Sequence, residues 1–380
     1  METTASLQAI ALQEQETGKK ARLDYIDVAK GILILAVVLA HAWFANINIL
    51  GHMVPFSMPA FFFLSGYTYK PGRGYFKNLG KRVVGLLLPY VFFSTACTLL
   101  YPVYVNLAKT PVWQQTGMGP IWTAVAKADA LNMLMATPMW FLVALFTGSI
   151  LFFAIADRTR GSLKWTVLSA AVLVAAALVI DVLKKNTLWW FVDLAPYTAA
   201  MMVIGAYCGN KKVFSKITLR AVLIGLVCLA VAEIVNIYFP GSNKTSVVTY
   251  IEPKTWYGVL TAFVIAVTGT FGTLLVARLV EKIPVVRRIF IWLGQNSIWI
   301  LCIHYCAIML MELYLYNHKV LSNSIMDVVA VELFGFGKVT DKPKDVAVKV
   351  AVALVSIGLS AIYALIHKSV KKAIKSRKAA

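Results

Sequence analysis

Charged residues are scarce in this chain, and acidic residues are scarcer still. Only 14% of its 380 residues are charged, against about 25% in soluble domains, and 17 acidic residues stand against 37 lysines and arginines. Because 59% of the residues are hydrophobic and mean hydropathy is +0.74, the composition excludes an ordinary soluble domain. The net charge of +20 then indicates membrane topology and affinity for anionic lipid headgroups. We expect no nucleic-acid partner, since the sequence lacks a stripe of alternating basic and aromatic residues.

Cysteine is also rare, and it does not form a disulfide framework. All five cysteines lie inside apolar segments, at Cys97, Cys208, Cys228, Cys302 and Cys306. The triplet formed by Cys302, His304 and Cys306 has the residue types of a metal site. On a helix, however, the two cysteines share a face and the histidine points nearly opposite. We therefore expect no metal.

About ten apolar runs make up most of the chain, each close to the ~20 residues that cross a bilayer as a helix. We place them at residues 28–47, 53–70, 83–105, 138–156, 165–183, 188–209, 218–239, 256–278, 289–316 and 346–367. The ninth run is longer than a straight crossing needs, so this helix is expected either to tilt or to break. The sequence predicts an all-α fold, a polytopic membrane helix bundle with about ten transmembrane helices. A polar leader (1–21) precedes the membrane domain (22–367), and a basic tail (368–380) follows it.

The basic residues predict how this bundle is oriented. Most of the 37 lysines and arginines fall in alternate connections, which the positive-inside rule assigns to the cytoplasm. We therefore predict a multi-pass protein of the cell membrane with both termini cytoplasmic. The longer connections at 106–137 and 317–345 are too short to fold as independent domains.

Two histidines lie where the bilayer makes polar groups costly. His41 lies in the first predicted span, eleven residues after Lys30, so both lie on nearly one face and about 16 Å apart along the helix. Asp27 falls on the same stripe. His41 is either a neutral imidazole bonded to a neighbouring helix or a general base. His304, in the ninth run, is either structural or a second proton-transfer or orienting group.

Two acidic pairs pose the same choice. Glu233 and Asn236 share a face of the seventh predicted span, where a carboxylate could orient an imidazole, bind a sugar hydroxyl or be protonated and inert. Asp193 and Tyr197 share a face of the sixth, beside two tryptophans that are typical of an interfacial belt. This second pair could contact a glycan.

The connection after the second span is rich in cations. It carries Lys70, Arg73, Lys77, Lys81 and Arg82. These residues either set topology alone or form a cradle for phosphates through charge-assisted hydrogen bonds. They are predicted on the same side of the membrane as Lys30.

These segments resemble the integral-membrane acyltransferases of acyltransferase family 3, particularly the fucose acetylase-like and polysaccharide O-acetyltransferase branch. The resemblance covers about residues 22–305. It rests on Asp27-Val-Ala-Lys30-Gly31 with His41, Pro59-Ala-Phe-Phe-Phe-Leu-Ser65-Gly66-Tyr67, Lys81-Arg82 before Leu-Leu-Leu-Pro89-Tyr90, Met139-Trp140-Phe141-Leu142, and Leu293-Gly294-Gln-Asn296-Ser297 with His304.

The resemblance implies a ten-span bundle that moves an acyl group, usually acetyl, from cytoplasmic acyl-CoA to an extracytoplasmic carbohydrate hydroxyl. It implies that His41 is the catalytic base and that Lys30, which is arginine in many relatives, is functional with Asp27 beside it. Relatives often carry two arginines three apart before the Pro-Tyr pair. Here Arg82 matches the first and Gly85 stands at the second, a difference that Lys81 could offset.

The expected site therefore has a donor part and an acceptor part. For acetyl-CoA, with no metal, we expect binding by Lys30, Lys81, Arg82, Arg73, Ser65 and Tyr67. For the acceptor, or for orienting groups, we expect His304, Glu233, Asn236, Asp193, Tyr197, Trp140 and Asn296. The expected partners are acyl-CoA, a carbohydrate acceptor, anionic membrane lipids and envelope glycan-assembly proteins.

Two other functions stay open. The first is a transporter or flippase of a small solute or lipid-linked sugar, and the second is a membrane protein that recruits envelope enzymes without chemistry of its own. The sequence lacks the inverted repeats common in transporters. Its cations cluster near one entrance, which favours an acyl-CoA site.

Overall fold

A computed structural model describes residues 23–42, 44, 49–108, 118–129, 132–183, 188–215, 218–239, 258–323 and 340–377. The predicted leader, residues 1–21, lies outside these ranges. Within them the chain forms helices and no strands. In chain order the helices are α1 Asp24–Ala40, α2 Ile49–Tyr67, α3 Tyr75–Arg82, α4 Leu88–Leu99, α5 Tyr101–Ala108, α6 Met118–Lys127, α7 Trp140–Thr159, α8 Leu163–Leu183, α9 Ala195–Asn210, α10 Leu219–Tyr238, α11 Gly258–Val280, α12 Pro284–Gln295, α13 Ser297–Asn317 and α14 Pro343–Arg377.

Three short segments depart from α-helical geometry. A π-helical turn, Val83–Leu87, joins α3 to α4, and 3₁₀ turns at Leu134–Met139 and Trp189–Phe191 precede α7 and α9. The π turn directly follows Arg82 and lets α3 and α4 continue as one helix. Wide turns of this kind are frequent at functional sites.

The described residues contain eight helical segments that are long and apolar enough to cross a bilayer. They are Tyr75–Leu99, Leu134–Thr159, Leu163–Leu183, Trp189–Asn210, Leu219–Tyr238, Gly258–Val280, Ser297–Asn317 and Pro343–Ile374. The polytopic membrane helix bundle is thus confirmed. The total of ten crossings stays a prediction, because α1, with 17 residues, is shorter than the usual ~20. The side of the membrane on which each terminus lies also stays a prediction.

Two predicted spans have different limits in the structure. The run at 289–316 is two helices, because α12 ends at Gln295 and Asn296 leaves helical geometry with φ −105° and ψ 10°. The first run, predicted to reach residue 47, is helical only to Ala40, and His41 caps its C-terminus. No glycine or proline marks that end, so hydropathy alone extends the run too far.

Glycines let two pairs of helices cross at very short distance. A Cβ on Gly31 of α1 would lie 2.2 Å from the Phe290 carbonyl oxygen of α12, and one on Gly294 would lie 1.9 Å from that of Asp27. A Cβ on Gly66 of α2 would lie 1.9 Å from a carbonyl oxygen of α9. Such crossings of small residues are typical of membrane helices, where packing replaces the hydrophobic driving force. They fix α1 against α12 and α2 against α9.

Candidate active site

His41 and His304 meet at the contact between α1 and α13. Nε2 of His304 lies 3.2 Å from Nδ1 of His41, and the ring centroids are 5.1 Å apart. His304 is fully buried, whereas His41, at the end of α1, is half-buried. The structure thus brings together two residues that are 263 positions apart in the chain.

Their partners assign the protons of the neutral pair. Nδ1 of His304 lies 2.7 Å from the Ile300 carbonyl oxygen, which can only accept, so this nitrogen carries the hydrogen and Nε2 accepts. Nδ1 of His41 is then the donor to His304 and to the Val37 carbonyl oxygen at 2.8 Å. Nε2 of His41 makes no hydrogen bond with the described residues, and it keeps its lone pair.

Tyr305 completes the surroundings of His41. Its ring meets the His41 ring edge to face, with centroids 5.0 Å apart and planes at 80°. No sequence pattern singles out this residue. It follows His304 directly in α13, but no local pattern indicates that α13 faces the end of α1.

Asp27 lies near the other end of α1, far from His41. Its carboxylate is buried, 4.0 Å from Nζ of Lys30 and 3.4 Å from Nε2 of Gln295. Along the helix it lies about 21 Å from His41. Asp27 therefore neighbours Lys30 and α12 and does not reach the histidine pair.

A cavity of about 180 Å³ opens beside Lys30. One end is polar, with Lys30, Ser65, Arg82 and Ser297, and the other is apolar. The remaining lining residues are Ile34, Met58, Phe61, Leu64, Thr68, Leu86, Phe141, Leu142, Leu145, Ile298 and Leu301. The Arg82 guanidinium donates to the Ser65 hydroxyl. Two of the predicted donor cations thus share one cavity with the predicted serine.

This cavity points along α1 towards the histidines and ends short of them. Ile34 lines it, and His41 lies seven residues further on the same face, about 10 Å away. On α13 the lining residue Leu301 precedes His304 by about one turn. The volume is below the ~300–1,000 Å³ of pockets for whole ligands, so this cavity fits a narrow part of a ligand.

The other predicted donor residues lie elsewhere. Tyr67 is buried, and its hydroxyl lies 2.7 Å from that of Tyr25. Lys81 and Arg73 are exposed and do not line the cavity. Gly85 is exposed and does not line the cavity either.

The predicted acceptor residues are dispersed. Glu233 does orient an imidazole, but it is that of His52, whose Nδ1 lies 2.6 Å from Oε1. Asn236 is buried on the same helix. Asn296 donates to the Trp292 carbonyl oxygen at 2.8 Å, where α12 ends. His52 is a second polar residue that no sequence pattern singles out.

The remaining predicted acceptor residues are buried in the bundle. Asp193 and Tyr197 are 4% and 1% exposed, and the Tyr197 hydroxyl donates to the Ala262 carbonyl oxygen at 3.2 Å. Trp140 is buried against Phe191, with ring centroids 5.1 Å apart. Among the residues that the structure describes, no group of three or more His, Cys, Asp or Glu side chains is placed to hold a metal ion.

One known protein family matches most of this chain. A family model described as an acyltransferase domain, acyltransferase 3, matches residues 23–338. The match includes both histidines and the whole cavity, and α14 lies beyond it. No curated protein and no solved structure matches the chain at a significant level.

Proposed function

Because this chain belongs to the acyltransferase 3 family of membrane proteins, we propose that it transfers an acyl group, most simply acetyl, from acyl-CoA to a carbohydrate hydroxyl. The observation that carries this proposal is the histidine pair. His304 accepts the Nδ1 proton of His41 at 3.2 Å, so the lone pair on Nε2 of His41 is free to act as a general base.

The chemical step needs that lone pair. Nε2 of His41 takes the proton of the acceptor hydroxyl while the oxygen attacks the thioester carbonyl carbon. The tetrahedral oxyanion collapses, the carbon–sulfur bond breaks, and the leaving thiolate takes the proton from Nε2. An ester and a free thiol result, and His41 returns to its neutral form.

The polar end of the cavity supports a donor site. Lys30 and Arg82 supply positive charge, and Ser65 and Ser297 line the same cavity. Cations of this kind bind phosphates through charge-assisted hydrogen bonds. In this arrangement the anionic head of acyl-CoA lies near Lys30, and its thin arm follows α1 towards His41.

The position of His41 supports a separate approach for the acceptor. It caps the end of α1 that is remote from Lys30, so donor and acceptor reach it from opposite ends of the bundle. With the predicted orientation, the donor comes from the cytoplasm and the acceptor is an envelope glycan. Anionic lipids and glycan-assembly proteins are the further partners that we propose. Transport of a solute or lipid-linked sugar is less well supported, since the family is one of acyltransferases.

The test is acetyl transfer in membranes supplied with radiolabelled acetyl-CoA and envelope glycan. We expect label in glycan with the wild type, none above background with His41→Ala, and reduced label with Lys30→Ala. His318→Ala is the matched control, because His318 also bonds to the carbonyl oxygen four residues before it but is exposed at the end of α13. Unchanged transfer by a folded, inserted His41→Ala protein would refute the assignment of the base.

A further inference from the structure

Two tryptophans and a lysine form an exposed aromatic surface before α9. Trp189 is 64% exposed and Trp190 is 37% exposed. Nζ of Lys127, at the end of α6, lies 4.6 Å from the centroid of the Trp189 ring. We call these three residues the Trp189 platform. The reaction described above makes no use of them.

Trp190 is held in place by a side-chain hydrogen bond and lies in an unusual backbone turn. The Trp190 indole N–H donates to the Ala126 carbonyl oxygen at 2.9 Å. Trp190 and Phe191 have φ of 59° and 53°, left-handed values that bulky residues rarely adopt and that cluster at functional sites.

Lys127 and Trp189 together present complementary chemistry for a sugar. The ammonium lies over the indole ring, and Trp189 is 64% exposed, so most of its surface is accessible. The C–H face of a pyranose stacks on the negative face of an aromatic ring. The lysine has donors for a hydroxyl or carboxylate on the ring edge.

The platform lies at the end of the bundle remote from the donor cavity. The last turn of α9 lies against α2 at Tyr67, whose hydroxyl contacts Tyr25 at the start of α1. Trp189 precedes the first turn of α9, roughly 24 Å away along that helix. It is therefore at the same end of the bundle as His41.

We propose that the Trp189 platform binds a pyranose ring of the acceptor glycan and prefers a ring that bears a carboxylate. The proposal rests on the proposed function, because it assigns an acceptor site for that transfer. The competing role is a membrane-interface anchor. In that role Trp189 would behave like any other exposed tryptophan of the bundle.

Binding of labelled hexasaccharides to the full-length protein in phosphatidylcholine nanodiscs tests this proposal without catalysis. The probes are hexagalacturonate, which is acidic, and maltohexaose, which is neutral. We expect hexagalacturonate to bind more tightly to the wild type. Trp189→Ala should weaken its binding by about tenfold or more, Trp189→Phe should retain most of it, and Lys127→Ala should remove the preference for the acidic probe.

Trp165→Ala is the matched control, because Trp165 is 52% exposed at the start of α8, towards the other end of the bundle. Equal effects of Trp189→Ala and Trp165→Ala, or binding of neither probe to the wild type, would overturn the proposal. Acetyl transfer is measured on the same preparations. If Trp189→Ala leaves acetyl transfer unchanged, the result contradicts the platform alone. If binding depends on Trp189 but the wild type shows no transfer, the result contradicts the proposed function alone.

Discussion

At the scale of single residues, the orientation of His41 depends on His304. Removing the acceptor of the Nδ1 proton leaves the Val37 carbonyl oxygen as its only hydrogen-bond acceptor among the described residues. We expect His304→Ala to lower kcat with little change in the KM for acetyl-CoA, and by less than the about 10²–10⁴-fold loss of a general base itself. His304→Gln, which offers a carbonyl acceptor, should recover part of the activity. Steady-state kinetics in membranes measure both, and wild-type kcat in His304→Ala would contradict the assignment.

The donor cations give a second prediction at this scale. Arg82 and Lys30 line the cavity and Lys81 does not. Loss of one charge-assisted hydrogen bond costs about 1.5–3 kcal/mol, so Arg82→Gln should raise the KM for acetyl-CoA roughly tenfold or more. Lys81→Gln is the matched control and should leave it unchanged. A larger effect at Lys81 than at Arg82 would refute this donor site.

The sequence predicted these residues only as far as local spacing allows. His41 and Lys30 lie on one stripe of one helix, which a period of 3.6 residues indicates. The contact of His41 with His304 depends on tertiary packing over 263 positions, and no periodicity carries that information. Glu233 illustrates the same limit, since its pattern left an imidazole partner, a sugar hydroxyl and an inert protonated state all open, and it could not select His52.

At the scale of helices, the crossing of α1 and α12 holds the donor end of the site. Gly31 follows Lys30 directly, and a Cβ there would overlap the Phe290 backbone. We expect Gly31→Ala to push the helices apart, lower the Tm of the purified protein and reduce acetyl transfer. Gly85→Ala, where a Cβ meets nothing within 4 Å, is the control. Equal Tm values for the two variants would show that the crossing tolerates a side chain.

The ends of the helices show what hydropathy can and cannot predict about a helix. The apolar content of 289–316 indicated helix, and helix is found. Next to the break at Asn296, α12 packs across α1 through Gly294, a contact between distant segments that hydropathy does not indicate. The early end of α1 at Ala40 likewise has no local signal.

At the scale of the whole molecule, the fold class followed from composition, whereas the attachment of the last helix did not. The helix α14 lies outside the family match and packs on α13. Asp341, just before α14, bonds with Lys349 of α14 at 2.9 Å between Oδ1 and Nζ, and both side chains are fully buried. Glu312 of α13 is also fully buried and interacts electrostatically with this pair. Apolar periodicity cannot indicate such a charged contact inside an apolar bundle.

This cluster gives a prediction for the stability of the whole bundle. Removing one partner of a buried ion pair leaves an uncompensated charge and costs about 3–5 kcal/mol. Lys349→Met would leave two buried carboxylates without their ammonium, so we expect a clearly lower Tm in detergent. The double variant Lys349→Met/Asp341→Asn removes one of those carboxylates and should recover part of the loss, since neighbouring sites are not additive. If the double variant were less stable than Lys349→Met, the buried Asp341 carboxylate left without its ammonium would not be the cause of the loss.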